Sequence, residues 1–261
     1  MGKIISMVSG KGGVGKTTAV ANIGTAMAAA GKRILVVDAD VGLRNLDIAL
    51  GMQNDVVYDY YDVIQGECKI KDALIASSRY PGLSFLPAPQ SVSCRDIDVD
   101  KFKEMITELN AYFDYIIIDC AAGIDDSFKM CVSVSDDVVI VTTPEYVSIR
   151  DADRVAGILE NSGIDKMMMI INRVDVEMIK KKQMVDIDSI INTVAVTLIG
   201  AIPEDRNVTI SNNIGKPIVL KARSRAGRAY INTAKRLMGE KVEIFKEDKK
   251  FLGIFRRKKN Y

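Results

Sequence analysis

Neither histidine nor tryptophan occurs among the 261 residues of this chain. Without histidine the chain lacks the one side chain that ordinarily titrates near neutral pH, and the commonest metal ligand with it. Any acid–base or metal chemistry must rest on carboxylates, lysines, hydroxyls and backbone amides. Cysteine is scarce too. Cys68, Cys94, Cys120 and Cys131 are scattered, with no C-x-x-C spacing. That argues against a disulfide framework or a zinc site and fits a reducing compartment. No apolar run approaches about 18 residues, so no bilayer-spanning helix is expected. The N-terminus enters an apolar strand almost at once, without the pattern of a signal peptide. No Pro/Gly/Ser-rich stretch is long enough to split the body of the chain.

What is present is an ordinary globular composition, 48% apolar and 27% charged, with enough apolar residues for a sizeable core. The net charge of +2 is unevenly spread. Residues 249–261 hold six Lys/Arg and no acid, which leaves 30 cations against 34 acids, or −4, for residues 1–248. A local anionic partner is therefore expected for the tail, and nucleic acid is disfavoured for the body as a whole.

Short apolar runs alternate with longer amphipathic ones. Ile4–Val8, Ile34–Val37, Leu83–Leu86, Tyr115–Ile118, Val138–Thr142, Met167–Ile171 and Leu198–Ile202 read as strands buried on both faces. Lys16–Ala30, Lys101–Tyr112, Ser148–Asn161, Asp186–Val194 and Arg225–Met238 read as helices. The alternation predicts an α/β fold: a doubly wound, mostly parallel sheet flanked by helices, with a C-terminal amphipathic tail helix. The expected organisation is a domain over 1–238 and a linker plus tail over 239–261.

Between the first strand and first helix lies Gly10-Lys11-Gly12-Gly13-Val14-Gly15-Lys16-Thr17-Thr18. It contains G-x-x-x-x-G-K-T, the phosphate-binding loop. Glycines let the backbone turn its N–H groups onto phosphate oxygens, and the helix N-terminus adds its positive end. Lys16 is expected at the terminal phosphates and the Thr17 hydroxyl on Mg²⁺. Ile116–Ile118 followed by Asp119 is an apolar strand ending in an acid, which places Asp119 on Mg²⁺ through water. Asp38 and Asp40 end another strand and face the crevice where such sheets bind ligands, although aspartates also serve as solvated turn residues.

The second lysine, Lys11, makes the loop resemble the deviant Walker A motif K-G-G-x-G-K-[ST] of the MinD/ParA class of P-loop ATPases. That resemblance implies ATP as the nucleotide, with hydrolysis to ADP and phosphate. It implies a homodimer formed on ATP in which Lys11 crosses to the partner's nucleotide. It puts Asp38 near the Mg²⁺ shell, Asp40 on the attacking water, and Gly123 in a switch near the γ-phosphate. Many members read D-S-P-A-G where this chain has Asp119-Cys120-Ala121-Ala122-Gly123, so the switch lacks the usual proline. Cys120 reads as a small packing residue. The class places its adenine pocket at Asn172, Pro203 and Glu204; a helix-cap or turn role for Asn172 remains open.

On a helical wheel with Phe251 at zero, Phe255, Leu252 and Ile254 fall near about 40°, 100° and 300°, and Lys249, Lys250, Arg256 and Arg257 between about 140° and 260°. An apolar face of Phe251, Leu252, Ile254 and Phe255 opposite a cationic one suits an anionic membrane surface. A core-docking helix and a nucleic-acid tail are the alternatives. Within the class the resemblance is greatest to septum-placing MinD members, through Asp38–Asp47, Tyr58-Asp59, Val63–Gly66, Ser148–Arg154, Ile202–Asp205 and the basic end. It implies a MinC-like division inhibitor and a MinE-like topological factor as partners, with Ser148, Arg150, Asp151 and Asp153 near their docking surface. It also implies a cytoplasmic protein, reversibly peripheral at the inner face of the cell membrane. The competing members are a flagellar-number regulator and a DNA-partition ATPase; the second would want a basic patch on the body.

Overall fold

The computed structural model describes residues 1–164, 166–221 and 223–244. The chain begins with β1 (Lys3–Val8), α1 (Lys16–Ala29), β2 (Ile34–Ala39) and the short helices α2 (Leu46–Leu50), α3 (Tyr60–Gln65) and α4 (Ile70–Ala73). Then follow β3 (Ile75–Ala76), β4 (Leu83–Leu86), α5 (Val99–Leu109), β5 (Tyr115–Cys120), α6 (Asp126–Val132), β6 (Asp137–Thr142) and α7 (Tyr146–Asn161). The last elements are β7 (Met167–Val174), α8 (Val176–Lys180), α9 (Ile187–Val194), β8 (Thr197–Pro203), α10 (Arg206–Asn213) and α11 (Arg225–Leu237).

The strands form one eight-stranded sheet in the order β3-β4-β2-β5-β1-β6-β7-β8. All neighbours are parallel except β3, a two-residue edge strand antiparallel to β4. The expected doubly wound fold is what the chain adopts, and all seven expected strands are present. The elements not expected are short. A helix of four to seven residues, such as α2 or α6, completes too few turns to print a periodicity. The start of α5 is Val99, ahead of the expected Lys101, because the Asp98 carboxylate accepts from the N–H groups of Asp100 and Lys101.

Strand residues alternate between two apolar layers, as a pleated sheet requires. Leu35, Val37 and Ala39 of β2 join a layer with α3, α5, α6, α7 and α9. Ile34 and Val36 join the opposite layer with α1, α2 and α11. In the first layer Tyr60 and Phe102 meet edge to face, centroids 5.4 Å apart, a geometry contributing about 1 kcal/mol beyond burial.

The chain leaves β1 toward β2 on one side and, after β5, turns to β6 on the other. The C-terminal ends of β1, β2, β5 and β6 therefore surround a topological switch point, where open α/β sheets bind ligands. At the far end, the Arg236 guanidinium donates to the carbonyls of Ile199, Val242 and Glu243 at 2.7–2.8 Å. The chain beyond α11 is thus turned back against the start of β8. The expected membrane residues Phe251, Leu252, Ile254 and Phe255 lie outside the described residues.

Candidate nucleotide site

The loop Gly10–Thr18 joins the end of β1 to the start of α1 at that switch point. Gly13 and Gly15 have φ of 78° and 91°, in the left-handed region. A side chain at Gly15 would also run into the Asn172 amide, and one at Gly10 would come within 2.8 Å of Asp151 on α7. The loop's shape thus depends on glycine both for its backbone angles and for what is packed against it.

Beneath the loop, Lys16 Nζ donates to Asp119 Oδ1 at 2.8 Å, and the pair is almost fully buried. Burial alone would lower the lysine's pKa, but the charge and hydrogen bond of Asp119 outweigh it and hold the ammonium above its ordinary value. The second oxygen of Asp119 is buried with no hydrogen-bond partner. Asp38 lies beside Asp119 in the β2–β5 register and is fully buried. Its oxygens accept from the N–H groups of Asp40 (2.9 Å) and Leu46 (3.0 Å), which pins both ends of the loop leading to α2. Burial, reinforced by the Asp119 charge, pushes its pKa up to about 7. Asp40 is half-buried at the rim. Burial raises its carboxyl, Lys16 opposes this, and Asp119 adds to the rise.

This donor set suits a nucleoside triphosphate with Mg²⁺. An unpartnered buried carboxylate oxygen is costly unless a cation or its water is there to be bound. Thr17 sits in the first turn of α1, and oxygen ligands of this kind are those Mg²⁺ takes.

The outer rim is looser. Lys11 Nζ is 3.4 Å from Glu145 Oε2, with both side chains exposed. The Gly123 N–H donates to the Ser9 carbonyl at 2.9 Å, which docks the expected switch on the loop. Ala121, where the resemblance leads to the expectation of proline, uses the N–H that proline lacks to donate to Ser127 Oγ at 3.4 Å; Ser127 in turn donates to the Ala39 carbonyl. The switch is therefore tied to the end of β2 by a hydroxyl. Cys120 and Cys131 are buried beside it, and burial with the neighbouring Cys120 holds the Cys131 thiol far above its ordinary pKa, so Cys131 is an inert packing residue.

The three adenine-side residues separate. Asn172 is buried, with its Nδ2 on the Val14 carbonyl at 2.8 Å and its Oδ1 accepting from the Arg173 N–H. In this structure it clamps the phosphate loop. Pro203 closes β8 opposite Val174, and Glu204 lines a groove of about 650 Å³ with Thr143, Glu145, Arg173 and Met178. On α7, Arg150 and Asp153 line a neighbouring groove of about 740 Å³. Ser148 turns inward instead, accepting from the Thr143 hydroxyl, and Asp151 packs on Gly10. Two participants were not expected. Glu145 lies just past the end of β6, where the strand-end rule that selects Asp38 would also find it. Asn212 donates to Thr18 Oγ1 at 2.8 Å from α10, and nothing local in the sequence marks it.

Residues 2–178 match the family described as an AAA domain. The septum site-determining protein MinD of Synechocystis is 45% identical over 93% of this chain and 91% of its own length. Among solved structures, the MinC:MinD cell division protein complex of Aquifex aeolicus has a TM-score of 0.87 at 43% identity, covering 92% of this chain and 97% of that one. MinD of Pyrococcus horikoshii, complexed with Mg-ADP, has a TM-score of 0.82 at 30% identity, covering 93% and 100%. A ParA-family ATPase from Chlorobium tepidum, at 23% identity and a TM-score of 0.76, shares the fold.

Proposed function

The chain belongs to the MinD septum site-determining family of P-loop ATPases, and on that premise we propose that it is a Mg²⁺–ATP-dependent membrane switch that dimerises on ATP and leaves the membrane on hydrolysis. The observation that carries this reading is the split between the loop's two lysines: Lys16 is buried on Asp119, while Lys11 stands exposed at the rim.

The backbone amides of Gly10–Thr18, at the N-terminus of α1, receive the phosphates. Lys16 exchanges Asp119 for the terminal phosphate oxygens. Thr17, Asp119 and Asp38 would hold Mg²⁺, the aspartates by way of water. When bound, the cation neutralises charge on the β- and γ-phosphate oxygens. Asp40 orients the attacking water. Lys11 leaves Glu145 and reaches the nucleotide of a second copy, placing positive charge where charge shifts during transfer. Glu204 and Pro203 form the adenine side, and Asn172 joins it by exchanging the Val14 carbonyl for the base.

The unit 1–238 is the ATPase domain, and 239–261 is the linker and membrane tail carrying Phe251, Leu252, Ile254 and Phe255. One tail binds marginally; two tails on a dimer bind together at high effective concentration. Membrane residence thereby follows the nucleotide. The bound dimer recruits a MinC-like inhibitor on the α7 surface, a reading supported by the MinC:MinD complex among its structural relatives. A MinE-like factor ends the cycle by stimulating hydrolysis.

The test is sedimentation of the full chain with anionic vesicles in ATP, ADP or no nucleotide. Pelleting is expected with ATP alone and is abolished by Phe255→Glu with ATP binding intact. Equal pelleting in all three conditions rejects the switch, and unchanged pelleting of Phe255→Glu rejects the tail.

A further inference from the structure

Residues 206–239 contain eight Lys/Arg and no acid, whereas the rest of the chain holds 28 cations and all 34 acids. The mildly acidic sum over the body conceals this segment. Its elements pack on one another. The Ser211 hydroxyl bonds to the Lys216 carbonyl and closes the turn after α10. The single turn Ile218–Leu220 packs on both α10 and α11, and a side chain at Gly227 would come within 2.7 Å of the Ile218 carbonyl. Arg206, Lys216, Lys221 and Arg223 are exposed. So are Ile210, Ile214 and Leu220, each about half accessible, with Ile210 and Ile214 one helical turn apart. Asp205, the acid just before the segment, is spent on capping α10 and bonding Ser224, while the exposed Glu240 follows directly after it.

We propose that this cationic, aliphatic-studded face of α10, the Ile218–Leu220 turn and α11 is a second, body-borne contact for an anionic lipid surface. Exposed aliphatics among cations match an interface of charged headgroups over acyl chains. Nucleic acid would use the cations but has no use for three bare aliphatic side chains, and no aromatic for stacking bases is exposed among them. The face also runs toward the tail. α11 starts beside it and ends at Leu237, after which Arg236 holds the returning chain at Val242 and Glu243. A body held flat along α11 would set both the orientation of the dimer and the reach of the tail. The inference rests on the membrane reading above.

The experiment measures partition of the full chain, with ATP, onto vesicles containing phosphatidylglycerol, onto neutral phosphatidylcholine vesicles, and onto duplex DNA. Lys216→Gln/Lys221→Gln/Arg223→Gln should weaken anionic-vesicle binding by about fivefold per cation, so on the order of a hundredfold. Ile210→Ser/Ile214→Ser should weaken it severalfold, with ATP affinity unchanged in both variants. Parental vesicle binding by the triple variant overturns the proposal. Loss of DNA binding with vesicle binding intact overturns it in favour of nucleic acid. Phe255→Glu separates the two readings. If it leaves pelleting intact the tail fails, and the triple variant in that background then reads the body contact alone. A parent that binds no vesicle overturns both.

Discussion

The inner and outer halves of the nucleotide site are built in opposite ways. Inside, Lys16, Asp119 and Asp38 are buried and hydrogen-bonded, the aspartates on adjacent strands and the lysine at the start of α1. At the rim, Lys11, Glu145 and Asp40 are partly or wholly exposed, and the one ion pair among them is long. The inner half is paired within one chain. The outer half is weakly held, which suits the proposed exchange of groups between copies.

The comparison can be broken from the inside first. Asp119→Ala leaves Lys16 buried without its counter-ion, so denaturant unfolding should show a loss of about 3–5 kcal/mol, with Mg²⁺–ATP binding lost as well. A loss below about 1 kcal/mol would mean the pair is not dry.

Asp38 sharpens the contrast through pH. Its pKa is raised by burial to about 7, so the folded chain keeps a proton that the unfolded chain loses near about pH 4. The unfolded state then binds fewer protons than the folded one, and stability falls as pH rises across that window. The stabilisation is complete below the unfolded pKa and gone above about pH 7. Without nucleotide or Mg²⁺, Tm should drop by on the order of several degrees between pH 5 and 8, and Asp38→Asn should flatten the drop. A Tm that climbs over that range would reverse the assignment.

The smallest effect belongs to the rim. Glu145→Gln should change stability by less than about 1 kcal/mol, because the pair it breaks is exposed. Its visible consequence should be a larger dimer fraction at limiting ATP, measured by light scattering. An unchanged fraction would show that Glu145 does not restrain Lys11.

How far the sequence was legible follows the same division. The phosphate loop, the strand ending in Asp119 and the seven parallel strands announce themselves, since a glycine run and buried apolar strands are local patterns. What was not legible depends on contacts made across the chain. Asn172 bonds a carbonyl 158 residues away, and Asn212 a hydroxyl 194 residues away. The cations of 206–239 were in plain view, but summing charge over the whole body hid them.

The central claim is that Lys11 completes the site of a second copy, and mixing two dead variants tests it directly. Lys11→Ala keeps its own Asp40 but cannot donate the lysine; Asp40→Ala donates the lysine but cannot use its own water. Each alone should hydrolyse ATP far below the parental rate. Mixed in equal amounts they should recover about a quarter of it, since half the dimers carry one intact site of two. No recovery on mixing, or full turnover by Lys11→Ala alone, would contradict the account.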